Sequence, residues 1–249
     1  MLFSFKRAMA LTLLALSFSF LPVLTEQTSS TAVAQEKMPN RYRNLPWQYG
    51  TKTPKTVQLC DVLNFTLPRG FAILHFQGTQ QLNRLTENPQ TNECATIAAS
   101  DMTWFAMLDY DRIGYVSDNG KVDADKLMES IKEGLAVGNR ARARSGWAPL
   151  EMVGWIQKPK YDVNVNQLVW STRLVSDGHE SVNYETRLLG REGVIEVILV
   201  YAPEDEQRAI KEFTQLLKGL SFVSGKRYRD FKPGDKRAKE TLADLIVGR

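Results

Sequence analysis

Residues 182–201 read Val-Asn-Tyr-Glu-Thr-Arg-Leu-Leu-Gly-Arg-Glu-Gly-Val-Ile-Glu-Val-Ile-Leu-Val-Tyr. Two runs rich in β-branched and aromatic residues, Val182 to Leu189 and Val194 to Tyr201, flank Gly190-Arg191-Glu192-Gly193. That composition is a long strand pair joined by a tight turn, and Gly190 and Gly193 are expected to take positive φ there. Working upstream, Gln167 to Val175 places Leu168, Trp170, Thr172 and Leu174 on one face, and Leu150 to Ile156 is a further strand signal. Polar turns separate these runs, so an antiparallel meander is the natural arrangement.

On either side of the meander the period changes. From Asp123 to about Arg144 the apolar positions Leu127, Met128, Ile131, Leu135 and Val137 recur every three or four residues, with Asp123 placed as the N-cap and Gly146 as the stop. Downstream, Pro203 opens a second amphipathic helix, Glu204 to Leu220, with Ile210, Phe213, Leu216, Leu217 and Leu220 facing the core. Met102 to Tyr110 is apolar nearly throughout, the pattern of a strand buried on both faces, and Gly114-Tyr115-Val116 continues it. Asp61 to Pro68 and Phe71 to Phe76 are shorter strand signals, Gln80 to Leu85 a helical turn, and Thr86 to Glu93 a polar loop. The fold class is therefore α+β: an antiparallel sheet packed with two main amphipathic helices, an arrangement that resembles the PsbP/Mog1-like sandwich. A short third helix is expected near Lys236 to Val247.

The first 34 residues set the compartment. Lys6 and Arg7 precede an apolar run from Ala8 to Leu24, and Ala32-Val33-Ala34 follows a polar Thr/Ser segment. This is the pattern of a secretory signal peptide cleaved after Ala34, which leaves about 215 residues and a periplasmic product. The apolar run is shorter than the ~20 residues of a typical membrane span and contains Pro22. An uncleaved leader tethering the protein to the inner membrane is the alternative, and the route by which a membrane association would arise. In an oxidising periplasm the two cysteines, Cys60 and Cys94, form a structural disulfide. The domains follow: leader 1–34, extended segment 35–55, one α+β domain 56–231, and a basic tail 232–249.

The formal charge of +4 falls to +3 once Lys6, Arg7 and Glu26 leave with the leader. So small an excess is no nucleic-acid signature. There is no G-x-S-x-G, H-E-x-x-H, P-loop or G-x-G-x-x-G motif, and no metal or cofactor is implied. His75, in an apolar strand, reads as a core histidine, and His179, after Asp177-Gly178, as a surface one. Asp109 and Asp111 flank Tyr110 at a strand end, with Asp118 nearby; paired acids can bind a divalent cation or carry acid–base work, or simply form turns. Asn139-Arg140-Ala141-Arg142 crowds guanidinium groups at a helix end, where they suit an anionic partner or the helix dipole.

From Trp104 onward the chain resembles an uncharacterised bacterial family of predicted membrane-anchored proteins, a domain of unknown function. The likeness is carried by Gly114-Tyr115-Val116-Ser117-Asp118, similar to G-Y-V-x-D, and by Gly154 to Asp162, similar to G-W-x-x-x-P-x-Y-D. Asn183 to Gly193 resembles N-Y-x-x-R-x-L-G-R-x-G, and Gly225 to Phe231 resembles G-x-R-Y-x-D-F. The resemblance brings no reaction, so no catalytic residue is assigned. Members usually continue past the Leu242-Ala243-Asp244-Leu245 segment into a C-terminal anchor, a tether not expected here.

Read physically, Gly154 to Asp162 is a strand ending in a rigid turn, and Arg187, Arg191 and Arg227 are candidates to pair with Asp109, Asp162 or Asp230. The motifs either hold the architecture together or line a shared polar groove built from Tyr110, Asn139, Arg140, Trp155, Tyr161, Arg187, Arg191, Arg227 and Tyr228. The function expected is a non-enzymatic envelope domain binding an unknown envelope protein or small ligand. The alternatives are a hydrolase or metal-dependent enzyme on Asp109, Asp111 and Asp118, and an envelope scaffold.

Overall fold

The structure, a computed structural model, describes residues 37–89, 91–117, 123–162 and 167–239. Ala34 and the leader, Asp118, and the C-terminal segment from 240 onward lie outside the described residues. Strands β1 (Gln48–Tyr49), β2 (Lys55–Leu59), β3 (Leu63–Leu67) and β4 (Phe71–His75) lead into helix α1 (Phe76–Leu85). After β5 (Ala95–Ala99) and β6 (Trp104–Asp111) comes α2 (Ala124–Arg144). The meander β7 (Glu151–Asp162), β8 (Gln167–Ser176), β9 (His179–Leu189) and β10 (Val194–Tyr201) is followed by α3 (Glu206–Leu217) and β11 (Leu220–Phe222).

Among the described residues the main sheet has eight strands in the order β1-β4-β5-β6-β10-β9-β8-β7, with every neighbouring pair antiparallel. Two meanders, β4-β5-β6 and β7-β8-β9-β10, meet at the β6–β10 seam, where Trp104 pairs with Tyr201 and Asp111 with Val194. A second sheet, β11-β3-β2, lies over one face. The fold class is α+β.

Alternation along β10 assigns its residues to the two faces. Ile195, Val197, Leu199 and Tyr201 join Trp104, Ala106 and Leu108 in the larger core, which the small sheet covers with Leu59, Leu63, Phe65 and Leu67, and α3 with Ala209, Phe213 and Leu216. The opposite face carries two smaller clusters. One gathers Ile113, Val116, Leu168, Trp170, Leu189 and Val194 beneath Leu127 of α2. The other packs Met38, Tyr42, Leu74, Leu82 and Met107 together, so the segment from 37 is built into the fold rather than laid along it.

The helices follow their sequence signals with instructive departures. Asp123 caps α2 through its side chain, accepting from the backbone N–H groups of Asp125 and Lys126. Val137, expected on the core face of α2, is 58% exposed and lines a cleft. α3 stops at Leu217, and Leu220 turns instead into β11 after Gly219. The single helical turn expected at Gln80 to Leu85 is a ten-residue helix starting at Phe76. His75 is not a core histidine: it is the exposed last residue of β4, at the N-cap of α1. Lys236 to Lys239 is not helical; Arg237 instead bridges Tyr115, and the rest of the expected third helix lies outside the described residues.

β7 does not end in a turn before Pro159 but runs through it as the edge strand, with three register shifts against β8. Proline is tolerated there because an edge strand has backbone donors with no neighbour to bond. The shifts, with exposed Lys158 and Lys160, leave an edge that is a poor template for another chain.

Gly190 and Gly193 are glycines for a reason other than the positive φ expected of them; neither is in the left-handed region. A Cβ at Gly193 would lie 2.1 Å from the backbone oxygen of Asp111, and one at Gly190 would lie 2.6 Å from the Phe222 ring. The hairpin is pressed against the end of β6 on one side and the small sheet on the other. Left-handed residues lie elsewhere, among them Cys60 (φ 53°) and Asp61 (φ 63°) in the β2–β3 turn, and the Cys60–Cys94 disulfide ties that turn to the start of β5.

Two outcomes follow for equilibrium urea unfolding. Gly193→Ala is expected to lose about 3 kcal/mol, because backbone must move to admit the methyl group. The Cys60→Ser/Cys94→Ser double variant is expected to lose about 3–4 kcal/mol on the chain-entropy estimate, with the same loss in wild type on reduction.

Candidate binding site

The motif residues are divided between the two ends of the sheet. At the β9–β10 hairpin end, the tail folds back: Arg191 N–H donates to the Lys226 carbonyl (2.9 Å), and Gly190 bridges Arg227. Arg191 also makes a bidentate pair with Asp235, with Nε and Nη2 each 2.7 Å from a carboxylate oxygen. Tyr228 stacks on Tyr115 at 4.6 Å and donates its hydroxyl to the Val116 carbonyl, while Phe231 lies 4.1 Å from the Tyr115 ring. Asp230 accepts from the backbone N–H groups of Gly225 and Arg227. The G-Y-V and G-x-R-Y-x-D-F motifs are thus two halves of one aromatic and ionic clasp.

Arg187 sits on the other face of β9 and is nearly buried, its Nη2 3.1 Å from Glu196 and 3.4 Å from Glu185, with its guanidinium 4.8 Å from the Trp170 ring. It does not pair with Asp109, contrary to expectation, because the Glu196↔Arg187 register puts Glu196 directly opposite on β10. Burial pushes the Glu185 carboxyl up, with Arg187 opposing. Asp109 is held above the usual carboxylate range by burial, then by the charges of Glu196 and Glu93. Two acids opposite one another in a sheet repel, and Arg187 is the cation that makes the arrangement tolerable. Among the described residues no group of three His, Cys, Asp or Glu side chains is placed to hold a metal ion. Asp109 and Asp111 share one face of β6, and Asp118 is outside the described residues.

The other end of the sheet carries Asn139 and Arg140. The Asn139 amide donates to the Leu150 carbonyl and accepts from its N–H, both at 2.8 Å, which pins the connection from α2 to β7. Arg140 is exposed. Its neighbour Arg142, grouped with it by sequence at a solvated helix end, is instead buried: 4% exposed, it donates to the Ala148 carbonyl (2.6 Å) and to the Glu87 carbonyl. Spacing on an isolated helix does not reveal this, because both acceptors lie outside the helix, and Glu87 stands 55 residues away.

Arg142 spans a cleft of about 950 Å³ between α2 and the α1–β5 loop. Its floor is sheet, with Phe105, Met107, Ile198 and Val200; Leu85 and Val137 stand on the two walls, 42% and 58% exposed. A second cavity, about 530 Å³, lies at the hairpin end where α3, the small sheet and the 227–229 turn meet. Among the described residues the candidates do not line one shared groove. Tyr110 packs at the margin of the larger core beneath Arg112, and Trp155 packs on the α2-side cluster. Arg227 and Tyr228 line the smaller cavity. The side chains of Tyr161 and Asp162 lie outside what is described. No helix among the described residues is long and apolar enough to cross a membrane.

The model of a family described as "Protein of unknown function (DUF2167)" matches residues 51–249. No curated protein matches the chain. Solved structures with a similar course include cyanobacterial PsbP (CyanoP) from Synechocystis sp. PCC 6803, 11% identical with a TM-score of 0.45 over 70% of this chain and 95% of that one. The Saccharomyces cerevisiae Ran-binding protein Mog1p is 10% identical with a TM-score of 0.33 over 72% and 98% of the two chains. A Pseudomonas aeruginosa protein of unknown function, PA94, is 9% identical with a TM-score of 0.29 over 66% and 94%. At these identities and scores no ligand or partner is transferred.

The clasp has a pH signature. The Arg191 pair and the Lys232 backbone N–H hold the Asp235 carboxyl down at about 2. A depressed carboxylate stabilises the fold above its unfolded value of about 3.9, and that contribution is lost as pH falls through the folded value. Asp235→Asn is expected to unfold at lower urea than wild type at pH 7, with the gap closing between about pH 4 and pH 2. A gap unchanged at pH 2 would show that the carboxylate charge is not what holds the tail.

Proposed function

The chain belongs to the DUF2167 family of proteins of unknown function, and since that membership supplies no reaction, we propose that it is an exported, non-enzymatic binding domain of the bacterial cell envelope. The observation that carries the reading is the placement of two large exposed side chains, Leu85 and Val137, on opposite walls of the 950 Å³ cleft. Converging exposed apolar groups in a concavity are the usual mark of a surface that another molecule covers. Arg142 braces the walls against each other, so binding orders little of the protein. Export is supported by the leader pattern of Lys6 to Ala34 and by the Cys60–Cys94 disulfide.

The acidic alternative has less behind it. Burial, then the charges of Glu196 and Glu93, raise the Asp109 pKa, but the neighbour of Asp109 across the sheet is Glu196, itself paired with Arg187.

The test uses the full chain in its native envelope, with site-specific crosslinking from the cleft wall. Val137→Asp and Leu85→Asp each place a charge on an already exposed position, so folding should survive. Each is expected to reduce recovery of the crosslinked species at least tenfold while the urea midpoint stays put. Undiminished crosslinking in both variants would remove the cleft from consideration.

A further inference from the structure

The smaller cavity, remote from the cleft, has a lining with a distinct chemistry. Its inner wall is apolar: Leu63, Leu188, Leu217, Leu220 and Phe222 converge where α3 ends and the small sheet begins. Its outer wall carries three cations, Lys218, Arg227 and Arg229, all exposed, and among the described residues no aspartate or glutamate lines it. The cations just outside the cavity have acids of their own, since Arg191 pairs with Asp235 and Lys226 with Glu192. Among the described residues no carboxylate pairs with Lys218, Arg227 or Arg229. Asp230, the acid nearest in sequence, is turned inward to the backbone N–H groups of Gly225 and Arg227.

We propose that this cavity binds a single-chain anionic amphiphile, with its apolar chain against the leucines and Phe222 and its carboxylate or phosphate head among the three cations. A volume of about 530 Å³ is in the range of small-molecule sites, which combine a mostly apolar lining with a few placed polar groups. Burial of the chain supplies affinity, and the charge-assisted donors select the head. Arginine suits either head, because its planar fork meets carboxylate and phosphate oxygens in pairs.

Isothermal titration of the purified full chain, below micelle-forming concentrations, separates the contributions. Dodecanoate or dodecyl phosphate is expected to bind at least tenfold more tightly than dodecanol, with dodecyltrimethylammonium and inorganic phosphate weaker still. Whichever anion binds better identifies the head. Arg227→Gln/Arg229→Gln should bring that anion to the level of dodecanol, and Thr214→Trp, at an exposed position on the lining, should weaken all chain-bearing probes; the urea midpoint reports that each variant is folded. Equal binding of dodecanol or of the ammonium probe, inorganic phosphate as tight as dodecyl phosphate, or anion binding indifferent to both variants would overturn the assignment.

Discussion

The pairing of β6 with β10 is the constraint on which the rest of the structure depends. It joins segments that lie about ninety residues apart in the chain, Trp104 to Asp111 and Val194 to Tyr201, in one uninterrupted antiparallel register. Without it, each meander would be a partial sheet with a long apolar edge open to another chain. With it, Ala106, Leu108, Val197 and Leu199 form a continuous surface, and the small sheet and α3 have something to cover. Trp104 marks the quality of the fit: it is fully buried, lies 5.8 Å from Phe71 and 6.3 Å from Phe213, and donates its indole N–H to Glu212. A contact so distant in sequence is slow to find, and the disulfide removes part of the conformational freedom that opposes closing the first half of the chain.

The sheet solves a charge problem at the same seam. Asp109, Glu196, Arg187 and Glu185 stand on adjacent strands on the face away from the larger core, and Arg187 is the cation among three acids. Such a cluster is weak evidence for stability, since desolvation offsets much of the attraction. Its physical consequence is to divide that face. Apolar packing lies on either side, under α2 and under α1, and the space between them is where the larger cleft opens.

The family motifs, read one at a time along the chain, look like a list of polar and aromatic candidates for a site. In the folded protein most of them close the hairpin end. Gly190 and Gly193 admit Phe222 and the backbone of β6, Tyr115 receives Tyr228 and Phe231, and Arg191 holds Asp235. Asn139 does similar work at the opposite end by bonding both polar groups of Leu150. Arg227 is different, because its backbone bridges Gly190 while its side chain remains at the edge of a cavity.

The sequence by itself determined what depends on near neighbours. Alternation along 182–201, the three-to-four spacing after Asp123 and the N-cap at Asp123 are local, and they specified the meander, the long helices and the α+β class. The Cys60–Cys94 pairing was legible too, since two cysteines leave a single intramolecular partner choice. Tertiary structure alone decided what depends on distant surfaces meeting. That Val137 is exposed, that Arg142 rather than Arg140 is buried, and that Gly193 is small because β6 ends beside it all follow from how the meanders are joined. The clefts belong to the same class: they are spaces left between packed elements, and no window of residues encodes a space.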